Sequence, residues 1–235
     1  MSSAPAIILW CFTVATIGCS NLPRDPEHTT ERVKHDRQIR VGLTEHPPWV
    51  IRTTGEPAGA EVELVRQFAS RMGAAPVWIW GSEAQHMPAL KRFELDLVIA
   101  GLDASTPWSR DIGVTKPYFE ERVFVGVPKS MPVPATLKDL HVAVKSGDPA
   151  AAYLRERDAV PQRMPDLTSA TGPVAAPEWH LRGKALVLTR FKLLTNKHVM
   201  AVPPGENGWL KLLEQFLFPR QSQVESLLQA RGLTQ

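Results

Sequence analysis

The most constraining stretch of the chain is Leu95-Asp-Leu-Val-Ile-Ala-Gly101, a nearly unbroken apolar run closed by glycine. A strand with no polar face must be covered on both sides, as the central strands of α/β sheets are. The residues before it fit that setting. Ile39-Arg-Val-Gly-Leu43 alternates apolar and polar side chains as a strand does, and Val62, Val65, Phe68, Ala69 and Met72 recur at helical spacing. Glu61 and Glu63 suit that helix's first turn and Gly73 its end. A strand over Val77–Trp80 and a helix over Glu83–Phe93 complete the series. Strand, helix, strand, helix, strand implies parallel crossovers, hence a doubly wound α/β unit.

A second unit begins at Val123-Phe-Val-Gly-Val127 and continues through a strand over Val142–Val144 to a helix opening near Ser146-Gly-Asp-Pro149. Val199–Val202 reads as the last strand, followed by amphipathic helices over Gly208–Phe218 and Gln221–Ala230. The 235 residues accommodate two lobes of roughly 100 residues each. The net charge of +3 comes from scattered Lys and Arg with no basic run, which argues against a nucleic-acid partner. No Gly-x-Ser-x-Gly, His-Glu-x-x-His, P-loop or dinucleotide fingerprint occurs, and the seven histidines lack metal-ligand spacing. The expectation is therefore a binding protein without metal or cofactor rather than an enzyme.

From Ala4 to Gly18 there is no charged residue, and Cys19 and a polar stretch follow. The run is short of the roughly 20 residues that span a bilayer and matches a signal-peptide core. Thr16-Ile-Gly-Cys19 resembles the lipobox of bacterial lipoproteins, which implies a signal peptide over residues 1–18 and lipidation of Cys19; an uncleaved N-terminal anchor is the alternative. Residues 19–38 then read as a tether. Cys11 and Cys19 are the only cysteines, so the body holds no disulfide and no thiol nucleophile.

The order of these elements resembles the extracytoplasmic solute-binding proteins of polar amino-acid ABC importers, family 3. The resemblance covers residues 39–235. It is carried by Arg40-Val-Gly-Leu43 with Pro47-Pro-Trp49, by Gly59-Ala-Glu-Val-Glu-Leu64, and by Leu95–Leu102 with Thr115-Lys-Pro-Tyr-Phe119. Leu137-Lys-Asp-Leu140 with Val142-Ala-Val-Lys-Ser-Gly147, and His198–Gly205 before a final helix pair, add to it. It implies a two-lobed, type II periplasmic-binding-protein-like α/β fold, with lobe one over residues 39–121 and 198–235 and lobe two over 122–197. The crossovers fall near Glu120–Arg122 and Asn196–His198. It also implies a monomer on the periplasmic or extracytoplasmic face, held to the membrane by its N-terminal lipid, that closes around a small solute and delivers it to the membrane subunits of an ABC importer. From Ser146 to Pro177 the chain is several residues shorter than the family pattern, as if lobe two lacked a helix. Cyclohexadienyl dehydratases share this fold, so a dehydratase-like enzyme and a ligand-presenting sensory module stand as alternatives.

The resemblance also places the cleft. His46 and Trp49 follow the first strand, where the family sets an aromatic residue against the ligand; burial of a large indole is the plainer reading of Trp49. Glu61 and Glu63 match positions that brace the cleft, and serve equally as charges at a helix start. In amino-acid binders a Thr and a carboxylate-gripping Arg follow the glycine; those positions read Asp103 and Trp108, and Arg110 is two places late. The ammonium-binding Asp falls at Pro177, beside Trp179. Lys145 and Ser146 lead into a helix whose N–H groups can receive an anion, while Asp148 is explained as well by an N-cap before Pro149. With three amino-acid contacts replaced, ordinary α-amino acids are expected to be poor ligands. Trp49, Trp108 and Trp179, with Asp103 as counter-charge, suggest a cationic or amine-bearing solute.

Overall fold

The computed structural model of the chain describes residues 24–184 and 186–232. The expected signal peptide and the Cys19 lipidation site lie outside these residues. The first elements are α1 (Thr29–Asp36), β1 (Gln38–Leu43), α2 (Ala60–Arg71), β2 (Ala75–Trp80), α3 (Glu83–Lys91), β3 (Leu97–Ile99) and β4 (Gly113–Val114). The chain then crosses on β5 (Phe119–Val127) into β6 (His141–Lys145), α4 (Ala150–Arg155), β7 (Val160–Met164), β8 (Val174–Pro177) and α5 (Glu178–Gly183). It returns on β9 (Val187–His198) to β10 (Ala201–Val202), α6 (Asn207–Leu217) and α7 (Gln221–Gly232).

Two separate five-stranded sheets result, ordered β2-β1-β3-β10-β4 and β7-β6-β8-β5-β9. In each, three parallel strands come from strand–helix or strand–loop crossovers, and the fourth, antiparallel strand has just arrived from the other lobe: β10 in lobe one, β5 in lobe two. The fold is thus the two-lobed α/β class that the strand order implies, with mixed rather than wholly parallel sheets.

The apolar run that ends at Gly101 is explained by the layers. Leu97 and Ile99 point into a core with Ile39, Val41, Phe68 and Trp209, whereas Val98 and Ala100 point into a second core with Met87, Leu90 and Ala201. Lobe two repeats the alternation with smaller residues. Val142 and Val144 face Leu154 and Val125, while Ala143 faces Ala176 and Leu181. Its two helices, α4 and α5, have six residues each, and β7 reaches β8 through residues 165–173 without a helix. That is the shortening expected between Ser146 and Pro177.

The described part of the expected tether is folded. Residues 29–36 form α1, whose Val33 is fully buried in lobe one. Glu206 accepts hydrogen bonds from the backbone N–H groups of Glu27 and Thr29, each at 2.9 Å, and Asp25 accepts one from Trp209 at 2.8 Å. Arg32 joins Arg40 on the buried carboxylate of Asp96. With one apolar side chain in TTERVKHD, α1 carries no hydropathy signal; its position is set by charges supplied from distant parts of the chain.

Candidate functional site

The crossovers are not loops but a ribbon. β5 and β9 pair antiparallel, Phe119 opposite His198 and Glu121 opposite Asn196, in unbroken register as far as Val123 and Leu194. Strand alternation places Glu121 in phase with Phe119 and Val123, so a carboxylate lies on the inward face of the ribbon. A cavity of about 550 Å3 opens between the lobes directly on this face.

Lobe one contributes the turn after β1 and the turn after β3. The His46 backbone carbonyl accepts the N–H groups of Trp49 and Val50 at 2.8 and 2.9 Å, which folds the Pro47–Pro48 segment over the cleft. Gly59 and Gly101 make this possible. At Gly59, φ is 122° and a side chain would collide with the Trp49 carbonyl; at Gly101, φ is 62° and a Cβ would press on the His46 and Trp49 rings at 3.1 Å. Glu61, wholly buried, accepts the Gly101 N–H at 2.9 Å and the Tyr118 hydroxyl at 2.7 Å. Burial raises its pKa, and these two donors oppose the shift. Glu61 therefore braces the cleft, whereas Glu63 bonds Gln67 on the outer surface.

At the base of the cleft His198 stacks on Trp49, with ring centroids 3.8 Å apart and planes inclined by 30°. Its Nε2 lies 3.5 Å from the Glu121 carboxylate, longer than a good hydrogen bond, and both ring nitrogens are buried without a hydrogen-bond partner. Glu121 itself accepts from the Trp179 indole at 3.0 Å and from Asn196 at 3.1 Å. Burial pushes the Glu121 carboxyl up, but His198, Trp179 and Asn196 outweigh it, and its pKa lies below the ordinary glutamate value.

Of the residues singled out in the sequence, His46, Trp49, Asp103, Lys145 and Trp179 all line the cleft. Their roles differ from expectation. Trp49 and Trp179 are 2% and 7% exposed, and His198 covers one face of Trp49, so neither indole offers an open face to a cation. Asp103 is spent on the hinge: Oδ1 accepts the Ser105 N–H at 2.9 Å and hydroxyl at 2.6 Å, and Oδ2 accepts the Lys197 N–H at 2.6 Å. Burial raises its pKa, these hydrogen bonds lower it, and they prevail.

Trp108 and Ser146 do not line the cleft. Pro107–Arg110 is a single 3₁₀ turn, and Trp108 packs against the second core of lobe one. The Ser146 side chain is exposed, and its N–H donates to the Met164 carbonyl at 2.7 Å, prolonging the β6–β7 pairing. Asp148 Oδ1 accepts the Ala150 N–H at 2.8 Å, which is the capping role. Of Lys145 and Ser146, only Lys145 lines the cleft.

Sequence reasoning missed Glu121, Asn196 and His198. The available signal was phase: Glu121 interrupts an inward series Phe119, Val123, Val125 that is otherwise apolar, and an acid in such a series has to be paired. Among the described residues no group of three or more His, Cys, Asp or Glu side chains could hold a metal ion.

Comparison with known proteins bears on this architecture. Among solved structures, an ancestral cationic amino acid solute-binding protein has a TM-score of 0.69 at 14% identity, covering 86% of this chain and 99% of that one. A polar amino acid ABC uptake transporter substrate-binding protein from Streptococcus thermophilus has the same score and identity, covering 86% and 89%. At such identities the likeness shows the fold alone. Among curated proteins, the membrane-bound lytic murein transglycosylase F of two Vibrio cholerae O1 strains is 27% identical over 118 residues, 48% of this chain. The match takes in 22% of those relatives' length. Among the described residues no helix is long and apolar enough to cross a membrane. The model of the bacterial extracellular solute-binding proteins, family 3, matches residues 39–223, and the chain belongs to that family.

Proposed function

We propose that this protein binds a small polar solute by closing its two lobes about the β5–β9 ribbon, and that it presents the solute to the membrane subunits of an importer rather than transforming it. The observation that carries the reading is the cleft: a cavity of about 550 Å3, large enough for a small metabolite, set between two independent sheets that β5 and β9 join. Ordinary α-amino acids are poor ligands on this reading. None of the described residues lining the cleft is an arginine, the ammonium position is held by Pro177, and a desolvated charge left without a partner is costly.

The N-terminal address Thr16-Ile-Gly-Cys19 supports anchoring by lipid on the extracytoplasmic side. Cys19→Ala should then release the protein from the membrane fraction or block its processing; a wild-type protein recovered wholly free of lipid would exclude the anchor. For the cleft, small-angle scattering with and without a ligand confirmed by calorimetry should show compaction at saturation. An unchanged profile would exclude lobe closure.

A second reading, a cleft that senses a wall fragment beside a murein-acting partner, is favoured by the match to the transglycosylase relatives. Including soluble murein fragments among the calorimetric ligands separates the two.

A further inference from the structure

We propose that the solute held in this cleft carries an anionic group, a carboxylate or comparable oxyanion, received by Lys145 from lobe two and His46 from lobe one above the buried His198. The proposal rests on the solute-binding reading and assigns the chemical class of its ligand.

Four carboxylates line the cleft, and each already accepts hydrogen bonds from the protein. Asp103 is held through both oxygens by Ser105 and Lys197, and Glu121 through both by Trp179 and Asn196. Asp148 caps Ala150 through Oδ1, and Asp166 is tied through Oδ1 to the N–H and hydroxyl of Thr168 on the solvent-exposed rim. Asp148 and Asp166 each keep one oxygen, which suits a hydroxyl or N–H of the same solute.

The basic groups are in the opposite condition. Lys145 is the one permanent cation among the described lining residues, and it makes no hydrogen bond or ion pair with any of them. It lines the cavity between the lobes, and its charge is felt by His46 of lobe one and by Asp148, Asp166 and His180 of lobe two. Behind His46, the His198 ring is buried at the base of the cavity, its Nε2 3.5 Å from Glu121 and its Nδ1 without a hydrogen-bond partner. Four carboxylates that are engaged and one lysine that is not leave an anion as the missing partner. A group bound between His46 and Lys145 touches both lobes at once, so the same contact favours the closed form.

The test is calorimetry on the full chain in detergent, using small hydroxy and oxo carboxylates, the corresponding amides and primary amines, and arginine. At least one carboxylate should bind, its amide about tenfold or more weaker, and Lys145→Gln should cost the carboxylate about tenfold while Lys145→Arg retains it. An unchanged thermal midpoint in Lys145→Gln establishes that the variant is folded. Binding of an amine or of arginine with no response to Lys145→Gln would overturn the anion assignment and leave the solute-binding reading standing. No binding from any class would overturn both.

Discussion

Lobe one and lobe two share a strand plan and differ in what fills it. In lobe one the sheet is covered by helices of eight to twelve residues, and the core holds Trp49, Trp209, Tyr118, Phe68 and Phe216, all buried. In lobe two the helices have six residues, the second face is packed by Ala143, Val174, Ala176 and Leu181, and one crossover has no helix. Apolar area buried scales with side-chain size, so the same topology is far more strongly held in the first lobe. The lobe that is thinly packed is also the one whose loops, around residues 145–149 and 165–168, carry Lys145, Asp148 and Asp166 into the cleft. Lobe one is thus the more heavily packed, tied by α1 and the C-terminal helices, and lobe two the lighter, with fewer buried apolar contacts to hold its cleft loops.

The largest effect expected from this contrast is in lobe one. Trp209 is fully buried, packs on Phe68 at 5.2 Å between centroids, and donates its indole N–H to the Asp96 carbonyl at 2.8 Å. Trp209→Ala should cost about 4 kcal/mol, as large aromatic truncations in cores do. Native-state hydrogen exchange should then show protection lost across β1 and β3 together. Loss confined to α6 would mean that the lobe is not one cooperative unit.

The strong lobe was the legible one. Apart from α1 and the two-residue β4, its strands and helices announce themselves because large apolar residues recur at clear periods, and Val62, Val65, Phe68 and Ala69 all lie where the spacing puts them. β7 and β8 stayed hidden: Val160-Pro-Gln-Arg-Met164 carries a proline and no apolar–polar alternation, lying unburied at the edge of its sheet, and Val174-Ala-Ala-Pro177 is too short for a period. The site was legible where backbone signals mark it. His46 and Trp49 follow a strand and a Pro-Pro turn, and Lys145 precedes a capped helix. Glu121 and His198 were not, because a residue on a crossing strand gains its partners only when two segments about 75 residues apart pair. Trp108 failed for a related reason: the family pattern alone placed it, and its packing against the second core of lobe one is a tertiary contact that sequence position does not report.

A smaller effect should follow in lobe two. Leu181 is fully buried and lies against β5 where Gly126 leaves room for it; a Cβ there would stand 2.8 Å from the leucine side chain. Leu181→Ala should cost about 2–3 kcal/mol. Its exchange signature should be confined to β8, β5 and α5, with β1 and β3 untouched. Equal loss of protection in both lobes would break the contrast, and would indicate that the contact between α5 and α7 couples them more tightly than the ribbon does.

The smallest effect is a pH dependence that belongs to the cleft. His46 is held below the ordinary imidazole pKa by desolvation first and then by His198 and Lys145, against the opposing pull of the Ala100 carbonyl and Glu121. His180 is lowered likewise by desolvation, then by Lys184 and Lys145. A histidine whose folded pKa lies below its unfolded value, about 6.5, takes up its proton more readily in the unfolded chain. Stability from these two residues is therefore present above that pH and declines as pH falls through it. Glu61 and Asp148, whose carboxyls are raised by burial, act in the opposite sense but nearer the carboxylate range. Thermal unfolding of the ligand-free protein between pH 7.5 and 5.5 should show a falling midpoint, and the double variant His46→Gln, His180→Gln should flatten it. A bound anion stabilises the imidazolium of His46, so the midpoint shift produced by a carboxylate ligand should grow over the same interval. If that shift shrinks on acidification instead, His46 does not face the ligand's charge, and the two lobes meet the solute through Lys145 alone.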